Sequence, residues 1–272
     1  MTATDHIVYS ERRIEGGLLQ ARQAHALRRV PILMPTLCRV RHGEKLLQWG
    51  ERAMRVGGQH LILMPAGEEL GIANFPGAQG YVAEAVRLSP ELLTRFRARH
   101  GALLENQLAQ AASANLCVPL NRDIGLAWHQ LIDSLHPDGH AALQEHHAEG
   151  LLLALGVAGH AGPLLRDRRD RLSARVQQLL LLDPGRRWSV DEVAARLHLG
   201  ASTLRRQLAA EERPFRQVSE SVRLGVALER LQSTRRPIGE IAVASGYASA
   251  SRFAVRFRQH YGLSPRALRA AL

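Results

Sequence analysis

Two stretches decide the reading of this chain. One is Val190-Asp191-Glu192-Val193-Ala194-Ala195-Arg196-Leu197, a turn, and Leu204-Arg205-Arg206-Gln207-Leu208. The other is Ile238-Gly239-Glu240-Ile241-Ala242-Val243-Ala244, then Gly246-Tyr247, and Phe253-Ala254-Val255-Arg256-Phe257. The second begins 48 residues after the first. Laid together, Glu192 matches Glu240, Val193 matches Ile241, Ala194 matches Ala242, and Leu204 matches Phe253. Each copy is a short apolar-periodic helix, a turn and a second helix, the pattern that presents a helix end to a DNA groove. One such pattern is weak evidence. Two in register, joined by a further helical segment, are much stronger, and a repeat must be recognised before the fold is assigned.

The charge distribution points the same way. The net charge is +11, and residues 166–272 hold all of the excess, with 21 Arg, no Lys and 10 acidic residues. Residues 1–165 balance 15 basic against 15 acidic residues. A basic half beside a neutral one reads as a nucleic-acid-binding module attached to something else. A general preference for Arg over Lys accounts for Lys45 being the only lysine, but not for the asymmetry. The length of 272 residues suits two domains, here 1–165 and 166–272. Cys38 and Cys117 lie in apolar runs and read as buried thiols in a reducing compartment. The N-terminus lacks a signal pattern and the longest apolar run, Leu151 to Ala158, cannot span a bilayer. A cytoplasmic protein with no membrane contact is expected.

In the basic half, Leu172–Leu182 reads as a helix. Ser189 caps the next helix, and Glu192 completes a capping box. His198-Leu199-Gly200 makes the turn and Ala201–Ala209 the first recognition helix. Pro214 starts a long helix, Phe215–Gln232; Ile238–Ser245 is the second scaffold helix, and Ser249 caps the second recognition helix, Ala250–His260.

From about Ile7 to Leu88 the chain reads as short strands between Gly/Pro turns: Thr36–Arg41, Lys45–Trp49, Arg52–Val56, His60–Met64, Leu70–Asn74 and Tyr81–Leu88. This rhythm predicts a small antiparallel barrel or sandwich able to hold one small ligand. Gly16-Gly17 and Gly57-Gly58 read as turn glycines. Arg39, Trp49 and His60 are weak ligand candidates. No His-x-His occurs among the strands, so no metal site, cofactor or catalytic residue is expected. His136, His140, His146 and His147 read as a solvated helix-loop-helix surface. Helices are predicted over Glu91–Arg99, Leu103–Ala112, Arg122–Ser134 and Ala141–Gly159, with Trp128, Leu131, Ile132 and Leu135 on one face of the first long helix and Leu143, His147, Gly150, Leu151 and Ala154 on one face of the second. The two long helices could cover the barrel or pair with a second subunit. Gly159–Asp170 reads as the linker.

The run Ile238-x-x-Ile241-Ala242-x-x-x-Gly246-Tyr247-x-x-x-Ser251-x-Phe253-x-x-x-Phe257, then Tyr261-Gly262-Leu263-Ser264-Pro265, resembles the AraC/XylS family of bacterial transcription regulators over about Leu172 to Arg269. The resemblance implies an α+β chain: an N-terminal cupin-like antiparallel β-barrel with flanking helices that binds an effector or dimerises, and a C-terminal all-α double helix-turn-helix domain with subdomains at about 172–213 and 214–272. It implies recognition helices 201–209 and 250–260, held roughly 34 Å apart by the long helix so that they enter successive major-groove segments. The positions implied to contact DNA are Ala201, Ser202, Thr203, Arg205 and Arg206 in the first helix, and Ser249, Ala250, Ser251, Arg252 and Arg256 in the second, with Arg258 on phosphate. Val255 stands where many members carry Arg, and Gly200 where a capping Ser is common. The expectation is a non-enzymatic regulator, an activator working with RNA polymerase on double-stranded promoter DNA, dimeric and controlled at its N-terminal domain by a ligand, such as a small-molecule effector, or by a partner. Two other readings stay open: an effector-independent module that only dimerises or binds a partner protein, and a cupin-type enzyme carrying a DNA-binding domain.

Overall fold

The computed structural model describes residues 14–110, 115–166 and 171–272. The expected start of the strand region at Ile7, the helix end at Ala112 and the last linker residues lie outside the described residues. The architecture is α+β, as expected. Eight strands come first: β1 (Ile14–Ala21), β2 (His25–Pro31), β3 (Thr36–His42), β4 (Glu44–Trp49), β5 (Arg52–Val56), β6 (His60–Met64), β7 (Glu69–Phe75) and β8 (Tyr81–Leu88). Helices α1 (Pro90–Arg99) and α2 (Gly101–Gln110), strand β9 (Cys117–Pro119), and helices α3 (Arg122–Ser134), α4 (Ala141–Val157) and α5 (Gly162–Leu165) follow. The remainder is helical: α6 (Leu172–Leu181), α7 (Val190–Arg196), α8 (Ala201–Ala210), α9 (Phe215–Ser233), α10 (Ile238–Ala244), α11 (Ala250–Tyr261) and α12 (Pro265–Ala271).

The strands form two antiparallel sheets, ordered β1-β8-β3-β6-β9 and β2-β7-β4-β5. The six strands predicted from the Gly/Pro rhythm are all present. Three were missed: β9, only three residues long, and β1 and β2, each for a physical reason. β1 is an edge strand whose middle residues are mostly exposed, so no apolar alternation marks it, and only pairing with β8 makes it a strand. Gly16 and Gly17 therefore lie inside a strand rather than a turn; a Cβ on Gly16 would stand 2.7 Å from Leu135. In β2 the register shifts between Leu27 and Val30, with Arg29 at φ 50°, which interrupts the period of two.

Two further expectations are corrected. Within the expected linker, Gly162–Leu165 form α5, and all four residues are buried. In α4 the buried residues are Ala148, Leu151, Leu152, Leu155 and Gly156, whereas Leu143 and Gly150 are exposed. Apolar residues lie on both faces of α4, so periodicity could not say which turns inward. The α3 face is as expected, with Trp128 and Leu131 fully buried and Ile132 and Leu135 packed against the same core.

One hydrophobic core runs from the strands into the helical half. It joins Leu27, Val30 and Ile32 to Leu224, Ala227, Leu228, Phe253, Phe257 and Tyr261. A Cβ on Gly225 would approach Leu33 Cδ1 at 2.9 Å, so α9 crosses the β2–β3 loop with its backbone close in. Polar contacts tie the same seam. Ala271 O accepts from Arg22 N at 2.7 Å, Leu33 O accepts from Gln177 Nε2 at 3.2 Å, and Arg87 pairs with Glu229 at 2.5 Å.

The two helix-turn-helix copies close their turns alike. Leu199 N donates to Ala194 O at 2.9 Å, and Tyr247 N donates to Ala242 O at 3.0 Å. Both turns need a left-handed residue. His198 supplies it at φ 57° and Gly246 at φ 81°. A Cβ at Gly246 would also lie 2.7 Å from Gly185 O. Gly246→Ala is therefore expected to destabilise the fold by about 1–3 kcal/mol, while His198→Gly relieves left-handed strain and gains about 1 kcal/mol. Thermal unfolding of the two variants checks the opposite signs.

Candidate nucleic-acid interface

The first scaffold helix, α7, starts on a complete capping box. Ser189 Oγ accepts from Glu192 N at 3.1 Å, and the Glu192 carboxylate accepts from Ser189 N at 2.9 Å. These bonds, the Ser189 backbone first and then Arg186, hold the Glu192 pKa below its ordinary value. The recognition helix α8 begins at Gly200 with no side-chain cap, because glycine stands where a hydroxyl would satisfy an orphan N–H. At the far end of α8, Glu211 reaches back instead: its carboxylate accepts from Leu172 N at 2.7 Å and Ser173 N at 3.0 Å. It caps α6, whose own N-cap Arg171 offers no side-chain bond. In the second copy α10 starts after Pro237 without a side-chain cap, and Ser249 Oγ caps α11 through Arg252 N at 3.3 Å.

Each recognition helix buries one apolar stripe and turns the rest outward. Leu204 and Leu208 anchor α8; Phe253, Phe257 and Tyr261 anchor α11. Phe253, Phe257 and Tyr261 stack edge-on along α11, at centroid distances of 5.4 and 4.6 Å. Tyr247, from the turn, meets Phe253 at 5.3 Å, and burial pushes its phenol up to about 12. Ser202, Arg205 and Arg206 are exposed on α8, with Ala201 and Thr203 half-buried. Ser249, Ala250, Ser251, Arg252, Arg256 and Arg258 are exposed around α11. Arg205, Arg206, Arg252 and Arg258 make no ion pair among the described residues. Arg256 differs: its Nε lies 3.5 Å from Glu220 on α9, and its Nη1 donates to Gln259 at 3.4 Å. Val255 is more than half exposed beside it.

The connector α9 holds both copies. Arg223 donates to Arg186 O, in the loop before α7, at 3.0 Å, and Arg230 donates to Ala244 O, at the end of α10, at 3.0 Å. These are residues i and i+7, on one face of a helix. Sequence reasoning did not single them out, because an arginine seven residues from another looks the same whether it faces solvent or a carbonyl.

The neutral half offers a cleft of about 880 Å³ between its sheets and α9. Leu27, Val30, Ile72, Gly225 and Leu228 supply apolar wall, and Lys45 with Asn74 supplies the polar part. Lys45 is 1% exposed, and its Nζ donates to Asn74 Oδ1 at 2.7 Å. Asn74 Nδ2 meets His25 Nε2 at 3.1 Å. Lys45 has no carboxylate partner among the described residues, and burial pushes its pKa down. Arg39, Trp49 and His60 line neither this cleft nor a second one of about 390 Å³ beside α1 and α6. Arg39 instead bonds Gly58 O at 3.3 Å and His129 Nε2 at 2.7 Å. The readable signal for the cleft was the one lysine of an arginine-rich chain, set inside a strand. Cys38 and Cys117 are buried free thiols, both with raised pKa, that of Cys117 to about 12. Among the described residues no three His, Cys, Asp or Glu side chains gather as a metal site, and no helix is long and apolar enough to cross a membrane.

Comparison with known proteins follows the same division. A family described as a helix-turn-helix domain matches residues 193–271. The transcriptional regulator SirC of Salmonella typhimurium is 33% identical over 91 residues, 34% of this chain and 31% of that protein. The ornithine utilization regulator of Pseudomonas aeruginosa is 35% identical over 99 residues, 36% of this chain and 29% of that protein. The chain thus spans about a third of the length of these curated relatives, both of them regulators. In structure, ToxT from Vibrio cholerae superposes with a TM-score of 0.72 over 96% of this chain and 99% of its own, at 13% identity, which shows a shared fold. A crystal structure of unsaturated fatty acid bound ToxT superposes at 0.66, with 15% identity and 95% of each chain covered. The C-terminal part of this chain is a helix-turn-helix domain of the AraC type.

Proposed function

We propose that this chain is a cytoplasmic DNA-binding transcription regulator of the AraC type, with residues 1–165 as effector-binding and dimerisation domain and 166–272 as DNA-binding domain. The observation that carries the reading is the pair of recognition helices, α8 and α11, each anchored by an apolar stripe and each presenting uncommitted arginines beside a glycine- or serine-started helix end. Arg205 and Arg206 read bases from α8, where bidentate contact with guanine O6 and N7 discriminates by about 1–3 kcal/mol. Ser202 and Thr203 bond a base edge or phosphate, and Ala201 lies close against the groove. On α11, Ala250, Ser251 and Arg252 face the bases, Ser249 starts the helix, and Arg258 binds phosphate. Glu220 holds Arg256, which is released onto DNA only if that ion pair gives way. The protein acts as a homodimer on promoter DNA and contacts RNA polymerase.

The effector is an apolar molecule with an anionic head, seated in the cleft with its head on Lys45. A lysine amine with one neutral oxygen partner, and no counter-ion among the described residues, in an apolar wall favours an arriving carboxylate, because the charge pair removes the cost of burying the cation alone. The fatty-acid-bound state of ToxT, a protein of the same fold, supports this class.

In binding assays on the selected operator, Arg206→Ala is expected to lose about 10- to 100-fold relative to random DNA; equal loss on both would make Arg206 a phosphate contact. Oleate is expected to raise the unfolding midpoint of the full chain with dose, and Lys45→Met to abolish that shift. A shift that survives Lys45→Met would move the head group elsewhere.

A further inference from the structure

The pairing of β2 with β7 breaks register between Leu27 and Val30. Arg28 and Arg29 sit in the break, and both are exposed. Arg29 takes the left-handed conformation, at φ 50°, that side chains other than glycine rarely adopt. A bulge re-aims the side chains it carries, and this one turns two successive arginines outward. Arg29 is committed: its Nε donates to Glu69 at 3.0 Å, and its carbonyl oxygen bonds His260 Nε2 of α11 at 3.0 Å. Arg28 makes no ion pair among the described residues. Its side chain runs to the end of α11, where a Cβ on Gly262 would stand 3.6 Å from both Arg28 Cδ and Nε.

That end belongs to the outward face of the second recognition helix. Arg252, Val255, Gln259 and Gly262 follow one another at spacings of three, four and three residues, and all four are exposed. The stripe holds one cation, Arg252, at its start, and no charge at 255, 259 or 262. Arg28 brings a cation to its other end from a distant part of the chain. The segment that carries Arg28 is fastened on both sides. The His260 bond holds it after Arg28, and before it Ala271 O, at the end of α12, accepts from Arg22 N at 2.7 Å and Gln23 N at 3.1 Å.

We propose that Arg28 binds a DNA phosphate beside the segment that α11 reads, so that both halves of the chain make the DNA surface. This rests on the DNA-binding reading above. The contact continues a track of positive charge. Gly262 N donates to Arg258 O at 2.8 Å, which puts Arg28 one helical turn, about 6 Å, beyond the arginine assigned to phosphate. Phosphates of one strand recur every ~3.4 Å along the duplex axis, so a backbone that meets Arg258 passes Arg28 one or two phosphates further on. The partner is phosphate rather than a base edge because Arg28 stands past the helix end, at the rim of the groove, where contacts fix position and carry no sequence.

Fluorescence anisotropy of the full chain on the selected operator and on a random duplex, over about 50–300 mM salt, reads the contact. Arg28→Ala is expected to weaken binding to both duplexes by about three- to tenfold, and to lower the slope of log affinity against log salt by about 0.9, the counterion release of one phosphate. Arg28→Lys keeps the charge and is expected to recover most of that slope. Arg122→Ala removes an exposed charge from the first turn of α3 and leaves affinity and slope unchanged. A wild type that binds neither duplex overturns the DNA-binding reading and this contact with it. A wild type that binds, while Arg28→Ala keeps its affinity and slope, overturns the contact alone. A loss with unchanged slope that Lys does not recover makes Arg28 a packing contact of the α11 end and overturns the phosphate assignment, as does a loss confined to the operator. An equal loss of slope in Arg122→Ala makes the effect one of net charge and overturns the contact too.

Discussion

Everything in this molecule hangs on the seam where α9 and α11 pack against β2. The core that fills the strands does not stop at the domain edge; it continues through Leu27, Val30 and Ile32 into Leu224, Leu228, Phe257 and Tyr261. Gly225 lets α9 come within side-chain contact of Pro31 and Leu33. The same helix carries Arg223 and Arg230, which hold the loop before α7 and the end of α10. One helix is thus at once the spacer between the recognition helices, part of the wall of the cleft, and a share of the hydrophobic core.

This arrangement couples the two halves physically. Gly225, Leu228 and Gln232 of α9 line the cleft together with residues of the strands, so the proposed effector would lie against the contacts that fix α9 on the sheets. The Arg87–Glu229 ion pair spans the same cleft. Differential contact with two arrangements of a shared element is what lets a ligand shift their populations, and α9 is the element that the cleft and both helix-turn-helix copies share. His260, next to the last anchor of α11, bonds Arg29 O at 3.0 Å, so the end of the second recognition helix is tied to β2.

The helix-turn-helix repeat shows how much freedom a scaffold leaves. Both copies keep the small Ala at the turn, the six-residue closing bond and the left-handed residue. They differ in how they start: a capping box in α7, a proline before α10, a bare glycine before α8 and a serine before α11. Burial of Leu204, Leu208, Phe253 and Phe257 carries the packing, and the caps adjust it.

The helical half was legible in the sequence almost residue for residue, because its signals are local: the capping serines, the turn glycine, and apolar spacing of three and four. The six central strands were legible for the same reason, each bounded by Gly or Pro. β1 and β2 were not, since an exposed edge strand and a bulged one lack alternation and become strands only through their partners. The same limit hid the inward face of α4, the pairing of Arg256 with Glu220, and the cleft. Lys45 is visible as the one lysine of the chain, but its place beside Asn74 and His25 depends on strands 29 and 20 residues away. Local chemistry determined which elements form and which arginines a recognition helix presents. Only the tertiary structure decided which faces are buried, because burial depends on what the rest of the chain brings alongside.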